Sequence, residues 1–332
     1  MIVSPFFIIG CSRSGTTLLR SMLNHHPLLA IPVESIFLVD YLRSNANVPT
    51  DRLKRLMTQE YELSEWGMAV TQQDLNGCTS AREIVNRVYD LYRRRHGKLI
   101  WGHKTTTFVR HSYLLKSVYP RSRFIHMVRD PRAVASSLIR SNAHCSNSYF
   151  ASLRWLMTVS VGLQLARDYP SDVLEIRYED LVSNPEHELL TICDFLEIPF
   201  DPRMMDYHQI GTREYGPYYH QIHAKLDHPP DRTRIDLWRS HLNARDVALI
   251  ESMCRDTMVH LEYELMFAPR PAAGHLYVAF LYLEHIWGLL RRLRHSLATR
   301  PAFAASHLRR RIALSLLFDR SLLSETLWYI TH

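Results

Sequence analysis

Phe6-Phe7-Ile8-Ile9-Gly10-Cys11-Ser12-Arg13-Ser14-Gly15-Thr16-Thr17-Leu18-Leu19 constrains this chain more than any other stretch. Its apolar start reads as a buried strand, its two glycines frame a tight turn, and a helix begins near Thr16. A strand that feeds a helix through such a turn belongs to an α/β layer fold. The unpaired N–H groups and positive dipole end of that helix then converge on one point and make an anion site. The spacing is that of a Walker A loop with one departure: the position after Gly15, where a kinase carries lysine, holds Thr16. Arg13 is the cation inside the loop. The loop therefore suits a nucleotide whose reacting 5′ end is shorter than a triphosphate.

Further along, strand-like segments at about 6–10, 99–103, 123–129 and 173–177 alternate with helical ones. That pattern predicts an α/β fold with a parallel β-sheet flanked by helices. Ser80 and Glu83 open one helix as a capping box and Gly97 closes it, while Pro131 and Pro185 suit the first turns of two others. Residues 199–236, rich in Pro, Gly, Tyr and His, read as a long loop of the kind that helps build binding sites. A last amphipathic helix at about 244–261 precedes a Pro- and Ala-rich linker at 269–274. The expected organisation is a catalytic domain over 1–267 and a basic, helical C-terminal extension over 275–332.

Composition narrows the class. With 332 residues, 46% of them hydrophobic, the chain can bury one large core. Its five cysteines are scattered and form no C-x-x-C pair, which argues against a disulfide framework or zinc ribbon and for a reducing compartment. The first strand begins almost at Met1, leaving no room for a signal peptide, so a cytoplasmic location is expected. Of the net charge of +7, much sits in the extension, where eight arginines face three acids. The remainder is only mildly basic, so nucleic acid is not implied as a partner. The run His220-Gln221-Ile222-His223 is followed by no second ligand pair with metal spacing, and no metal is expected.

A second constellation follows the 123–129 strand. Arg129 stands at its carboxyl end, where open α/β sheets place ligands, and Ser137 lies about two turns into the next helix, on a face that can look back. An arginine and a hydroxyl so arranged can hold a second phosphate. Tyr178, at the end of the fourth strand, is either a core-edge aromatic or a shelf for a base. Two phosphate sites and a purine shelf are what a 3′,5′-bisphosphorylated adenosine needs.

In these residues the chain resembles the sulfotransferases that use 3′-phosphoadenosine 5′-phosphosulfate (PAPS), closest in style to the bacterial and tyrosylprotein-type branch. The resemblance covers roughly residues 5–260. It implies that Arg13, Ser14, Gly15, Thr16 and Thr17 bind the 5′-phosphosulfate, that Arg129 and Ser137 hold the 3′-phosphate, and that Tyr178 lies near the adenine. The run Arg232-Thr233-Arg234-Ile235-Asp236-Leu237-Trp238-Arg239 looks like the late basic loop and tryptophan that close over the nucleotide, with Arg234 and Trp238 as the expected contacts.

Sulfuryl transfer is an in-line displacement. The protein must orient an acceptor hydroxyl, take its proton and stabilise charge on the leaving phosphate oxygen. The resemblance makes Glu34 the expected base; read as a residue, it can equally cap or pair with the following helix. Lys104 is expected across the cleft as a second electrostatic stabiliser beside Arg13, or else is a surface cation. Where many small-molecule sulfotransferases read Lys-Thr-His, this chain reads Lys104-Thr105-Thr106, leaving His103 as a fallback base. Two other readings stand: a nucleoside or sugar kinase, with Asp130 as its magnesium carboxylate, and a non-catalytic, membrane-docked nucleotide-binding module. The discriminating observation is whether Glu34 and Lys104 converge beside the loop. The extension, with aromatic faces beside Arg clusters, suits either a helix on an anionic membrane surface or a hairpin packed on the catalytic domain or a second subunit, a homodimer. The expected acceptor is a hydroxyl of a carbohydrate, lipid or other small molecule, and nothing in the sequence names which.

Overall fold

The computed structural model describes residues 4–44, 48–141, 146–210, 224–268 and 275–314. Five parallel strands form the centre: β1 (Phe6–Gly10), β2 (Leu29–Ala30), β3 (Ile100–Lys104), β4 (Arg123–Val128) and β5 (Val173–Arg177). Their order across the sheet is β2-β3-β1-β4-β5. The chain thus builds one half of the sheet, crosses over the central β1 and builds the other, which puts the switch point at the carboxyl end of β1. Phe6 pairs with Gly102 on one side and Arg123 on the other, and Gly10 pairs with Met127.

The helices, in chain order, are α1 (Thr16–Asn24), α2 (Phe37–Leu42), α3 (Thr50–Met57), α4 (Tyr61–Glu65), α5 (Ala81–Arg95), α6 (Ser112–Val118), α7 (Pro131–Arg140) and α8 (Ser148–Asp168). They continue as α9 (Tyr178–Ser183), α10 (Pro185–Leu196), α11 (Tyr207–Ile210), α12 (Trp238–His241), α13 (Ala244–His260), α14 (His275–Thr299) and α15 (Pro301–Ala313). Ser80 accepts from the Glu83 amide as expected, while the Glu83 carboxylate reaches back to Thr79. Pro131 and Pro185 open α7 and α10.

Because helices cover both faces, the strands read as near-continuous apolar runs, and all of β1 is buried. Phe7 packs its ring against Trp101, Phe108, Tyr119 and Phe124, and each such side chain contributes roughly 1.5–3 kcal/mol by burial. A second apolar cluster, with Trp155, Leu138, Ile250 and Met258, clamps α7, α8 and α13 together behind β4.

Three expectations are corrected. The 99–103 strand begins one residue later and ends on Lys104, and β4 stops at Val128, so Arg129 starts the loop rather than ending the strand. The two-residue edge strand β2 is too short for periodicity to reveal. The long loop is partly ordered, holding single 3₁₀ turns at Pro202–Asp206, Ala224–Asp227 and Arg232–Arg234 as well as α11. Its remaining stretch, 211–223, the linker at 269–274, Cys145 and the end of the extension from 315 lie outside the described residues.

The extension packs on the rest of the chain. Leu281 of α14 is buried, its carbonyl accepts from Asn147, and His285 stacks on Phe150. The α15 helix docks on α4, with Phe303 edge-on to Tyr61 and Arg300 paired to Glu65 at 3.0 Å. Arg310 and Arg311 are buried against Asp40, Glu60 and Glu62.

Candidate active site

The loop after β1 takes its shape from three left-handed residues: Gly10 at φ 151°, Arg13 at 73° and Gly15 at 90°. At Gly15 a Cβ would stand 2.4 Å from the Tyr178 ring, and at Gly10 2.5 Å from the Met127 carbonyl, so both positions demand glycine. Gly15 is also the N-cap of α1. It offers no side chain to the first turn, and no acid lies there, so the amides of that turn stay open to an anion. Ser14, within the loop, is fully buried, and its hydroxyl lacks a partner among the described residues.

Arginines from three segments meet over this loop. Arg13 donates from Nε to the Ser137 hydroxyl at 2.9 Å. Arg129 spans two main-chain carbonyls, Arg13 at 3.0 Å and Arg234 at 2.8 Å, and lays its guanidinium on the Tyr178 ring at 3.9 Å. Its Nε is buried without a partner among the described residues. Burial, then Arg129 and Arg234, push the Arg13 pKa below its usual value. Arg234 pairs with Asp231 at 3.2 Å, but among the described residues no carboxylate pairs with Arg13 or Arg129. These arginines border a cleft of about 640 Å³ that also takes in Thr16, Thr17, Ser137, Tyr178, Trp238 and His241. A larger hollow at the amino ends of the strands, near Ser4, Leu99 and Arg121, lies on the opposite side from these groups.

Beside the loop stands the pair expected from the sequence. Lys104, buried at the end of β3, donates to the Glu34 carboxylate at 3.0 Å and to the Thr17 hydroxyl at 3.1 Å. The other Glu34 oxygen accepts from the Thr106 amide at 3.0 Å. The Glu34 side chain remains about a quarter open, at 27% exposure, so it can still meet an acceptor. Thr106 joins this group unforeseen: the Lys-Thr-Thr sequence drew attention for a missing histidine, whereas its contribution is a main-chain amide.

His103 does not serve as a fallback. It is fully buried, Nδ1 meets the Tyr89 hydroxyl at 2.9 Å, and Nε2 meets the Thr105 hydroxyl at 2.9 Å and the Ser35 carbonyl at 3.1 Å. Burial above all, with Lys104 and Arg20 adding, lowers its pKa to about 3.

Four other expected residues stand differently from the simplest picture. Ser137 faces Arg13, tying the two anion sites together. Tyr178 has one ring face covered by Arg129 and an edge under Gly15, so it first supports the loop. Trp238 is buried between the Arg132 and Arg239 guanidiniums at 4.2 and 4.5 Å and forms the cleft wall. Asp130 is held by Arg132 at 2.6 Å, which also pairs with Glu251 at 2.7 Å, so this carboxylate is already engaged. Of the late-loop arginines, Arg234 borders the cleft, while Arg232 donates to the Ser183 carbonyl. No cluster of His, Cys, Asp or Glu able to hold a metal occurs among the described residues.

Residues 5–202 match the model of the sulfotransferase family. The chain is 29% identical over 216 residues to protein-tyrosine sulfotransferase A of Caenorhabditis elegans, covering 62% of this chain and 53% of that protein. It is 25% identical over 260 residues to protein-tyrosine sulfotransferase 1 of Danio rerio, covering 74% and 70%. It thus spans little more than half the length of the first of these relatives and about 70% of the second. In fold it resembles the sulfotransferase domain from the curacin biosynthetic pathway, with a TM-score of 0.58 at 21% identity over 80% of this chain and 99% of that domain. The sulfotransferase domain of the Synechococcus PCC 7002 olefin synthase gives 0.57 at 24% identity over 79% and 96%.

Proposed function

Since the chain belongs to the sulfotransferase family, we propose that it moves a sulfuryl group from PAPS to an acceptor hydroxyl by in-line displacement, with Glu34 as base. The observation that carries this reading is the gathering of Arg13, Arg129 and Arg234 around one cleft beside the Glu34–Lys104 pair. Like charges so placed repel, and a doubly phosphorylated nucleotide relieves them. The buried Arg129 Nε and the open first-turn amides of α1 are donors still wanting an acceptor.

In this reading the donor supplies an activated sulfuryl group, and the chain does the rest. The loop amides, Arg13 and Thr17 hold the 5′ end, and Arg129, Ser137 and Arg234 hold the 3′-phosphate. Glu34 takes the acceptor proton as the new O–S bond forms. Lys104 and Arg13 stabilise the charge left on the phosphate oxygen as the old S–O bond breaks. Tyr178 and Trp238 wall the base. Named relatives act on protein tyrosine, so a tyrosine-bearing peptide is the first acceptor to try, ahead of sugars and lipids.

The kinase reading is not favoured: Asp130 is committed to Arg132, and the lysine of the kinase loop is absent. Calorimetric titration with adenosine 3′,5′-bisphosphate and with ATP plus magnesium, on wild type and Arg129→Ala, separates the two. Tight binding of the bisphosphate, lost in the variant, supports the proposal; binding of ATP with magnesium alone overturns it.

A second reading concerns place of action. On α14, Phe280, Leu283, Trp287 and Leu290 lie along one face and are exposed, Trp287 at 72%, beside Arg291 and Arg294. No described helix is long and apolar enough to cross a membrane. An apolar stripe edged with arginine suits an anionic bilayer surface. Cosedimentation with anionic vesicles, weakened in Leu283→Ser/Trp287→Ser, would support this. Sedimentation velocity that instead finds a dimer disrupted by the same changes would assign the stripe to a second copy.

A further inference from the structure

The buried charge cluster beneath α15 connects directly to the segment that carries Glu34. Arg310 donates through Nε to Asp40 at 2.8 Å and through Nη1 to Glu60 at 2.6 Å and Glu62 at 2.8 Å. Glu62 uses its other oxygen to accept the Ile36 amide at 2.8 Å, two residues beyond Glu34. On the near side, Trp66, just past α4, donates to the Val33 carbonyl at 3.0 Å. The Ser35 carbonyl, between them, accepts from Thr105 at 2.8 Å. The backbone on both sides of Glu34 is therefore pinned to α4, and α4 is pinned to α15 by Arg310–Glu62, Arg300–Glu65 and Ser306, which accepts the Tyr61 amide at 3.4 Å.

A buried guanidinium among carboxylates is weak evidence for stability, since an apolar replacement of similar volume often serves as well. What such a cluster supplies is geometry: Arg310, meeting three carboxylates at once, leaves Glu62 one orientation, and that orientation presents an acceptor to Ile36. We propose that α15 is a positioning element of the active site and that Arg310, acting through Glu62, holds Glu34 in register with Lys104 and the loop. The inference rests on Glu34 being the base. It makes the C-terminal extension part of the catalytic apparatus, although no residue of α15 touches the cleft.

A double-mutant cycle in the full chain tests this, with active sites counted by bisphosphate titration. Arg310→Met is expected to lower kcat roughly 10- to 100-fold, the range a displaced catalytic group produces, while bisphosphate affinity and acceptor KM stay within about twofold. In a Glu34→Gln background the same change is expected to cost less than about twofold, because the group it positions is already gone. Equal losses in both backgrounds, or a loss of bisphosphate affinity matching that of kcat, overturn positioning and leave Glu34 as base untouched. If Glu34→Gln alone leaves kcat unchanged, the base assignment fails and this proposal falls with it. Should Arg310→Met not fold, Arg310→Lys, which keeps one charge but cannot reach three carboxylates, is read by the same criteria.

Discussion

Lys104 bridges Glu34 and Thr17, at 3.0 and 3.1 Å, so one ammonium joins the proposed base to the helix that opens the anion loop. Removing it leaves the carboxylate near the bound donor without its counter-charge. Lys104→Met is expected to lower kcat about 10²- to 10³-fold, and Glu34→Gln about 10²- to 10⁴-fold. Bisphosphate affinity should hold in Glu34→Gln, and the double variant should be little worse than that single one. Steady-state kinetics with calorimetry of the product nucleotide checks all four statements.

Arg129 works by shape as well as charge. Its guanidinium spans the Arg13 and Arg234 carbonyls while lying flat on Tyr178, which a lysine cannot do. Arg129→Lys is therefore expected to lose nearly as much bisphosphate affinity as Arg129→Ala, about 1.5–3 kcal/mol, or roughly 10- to 150-fold. A lysine variant with wild-type affinity would show that only the charge matters.

Gly15→Ala combines a left-handed backbone with a methyl 2.4 Å from the Tyr178 ring. Expected losses are about 1–3 kcal/mol of stability from the backbone alone and most of the bisphosphate affinity. In a Tyr178→Ala background the clash disappears but the φ of 90° remains, so only part of the melting temperature should return. Scanning calorimetry of the four proteins checks this.

Stability should also report on the buried cluster. Asp40, Glu60 and Glu62 confront Arg310 and Arg311, which leaves one negative charge in excess. Burial raises Glu60 to about 7, with Arg310 opposing and Glu62 adding; at Asp40, Arg310 and Arg311 overcome burial and hold the value at about 2. A carboxyl whose pKa rises on folding binds its proton more tightly in the folded protein. The stability Glu60 contributes is thus full below its unfolded value of 4.5 and is lost as pH climbs through 7. Asp40 runs the other way, losing its contribution as pH falls from 3.8 toward 2. His307, lowered chiefly by burial and then by Arg310, also loses stability on acidification, below 6.5. Denaturant titrations of wild type and Glu60→Gln cancel the other groups. From pH 5 to 8 the balance should move toward the variant by on the order of 2 kcal/mol.

The anion loop and Arg129 were legible because strand, turn and helix are local: Gly10, Gly15 and the apolar run before them lie within one short stretch. The Glu34–Lys104 pairing spans seventy residues. Only a resemblance supplied it, since nothing in either residue's neighbours names the other. Packing of the extension on the catalytic domain was one of the readings the sequence left open, but the buried charges through which α15 docks were illegible for a different reason. Arg309-Arg310-Arg311 looks like a solvated or membrane-facing cluster, and Asp40, Glu60 and Glu62 look like surface acids, until the fold removes both sets from water together. A signal existed in the apolar neighbours of those acids, Val39, Tyr41, Tyr61 and Leu63, which are unusual company for exposed carboxylates.

Arg13 holds its guanidinium in place from a backbone at φ 73°, a conformation that costs an ordinary side chain about 1–2 kcal/mol and suits asparagine or glycine better. With Arg13 holding the donor as proposed, tolerance to heat and turnover make opposite demands on one residue. On the proposed reading, a population of variants screened only for remaining folded would drift at position 13 toward those smaller residues and accumulate well-formed proteins that no longer transfer a sulfuryl group. Such a screen would count as improvements the very changes that an assay of the reaction would discard.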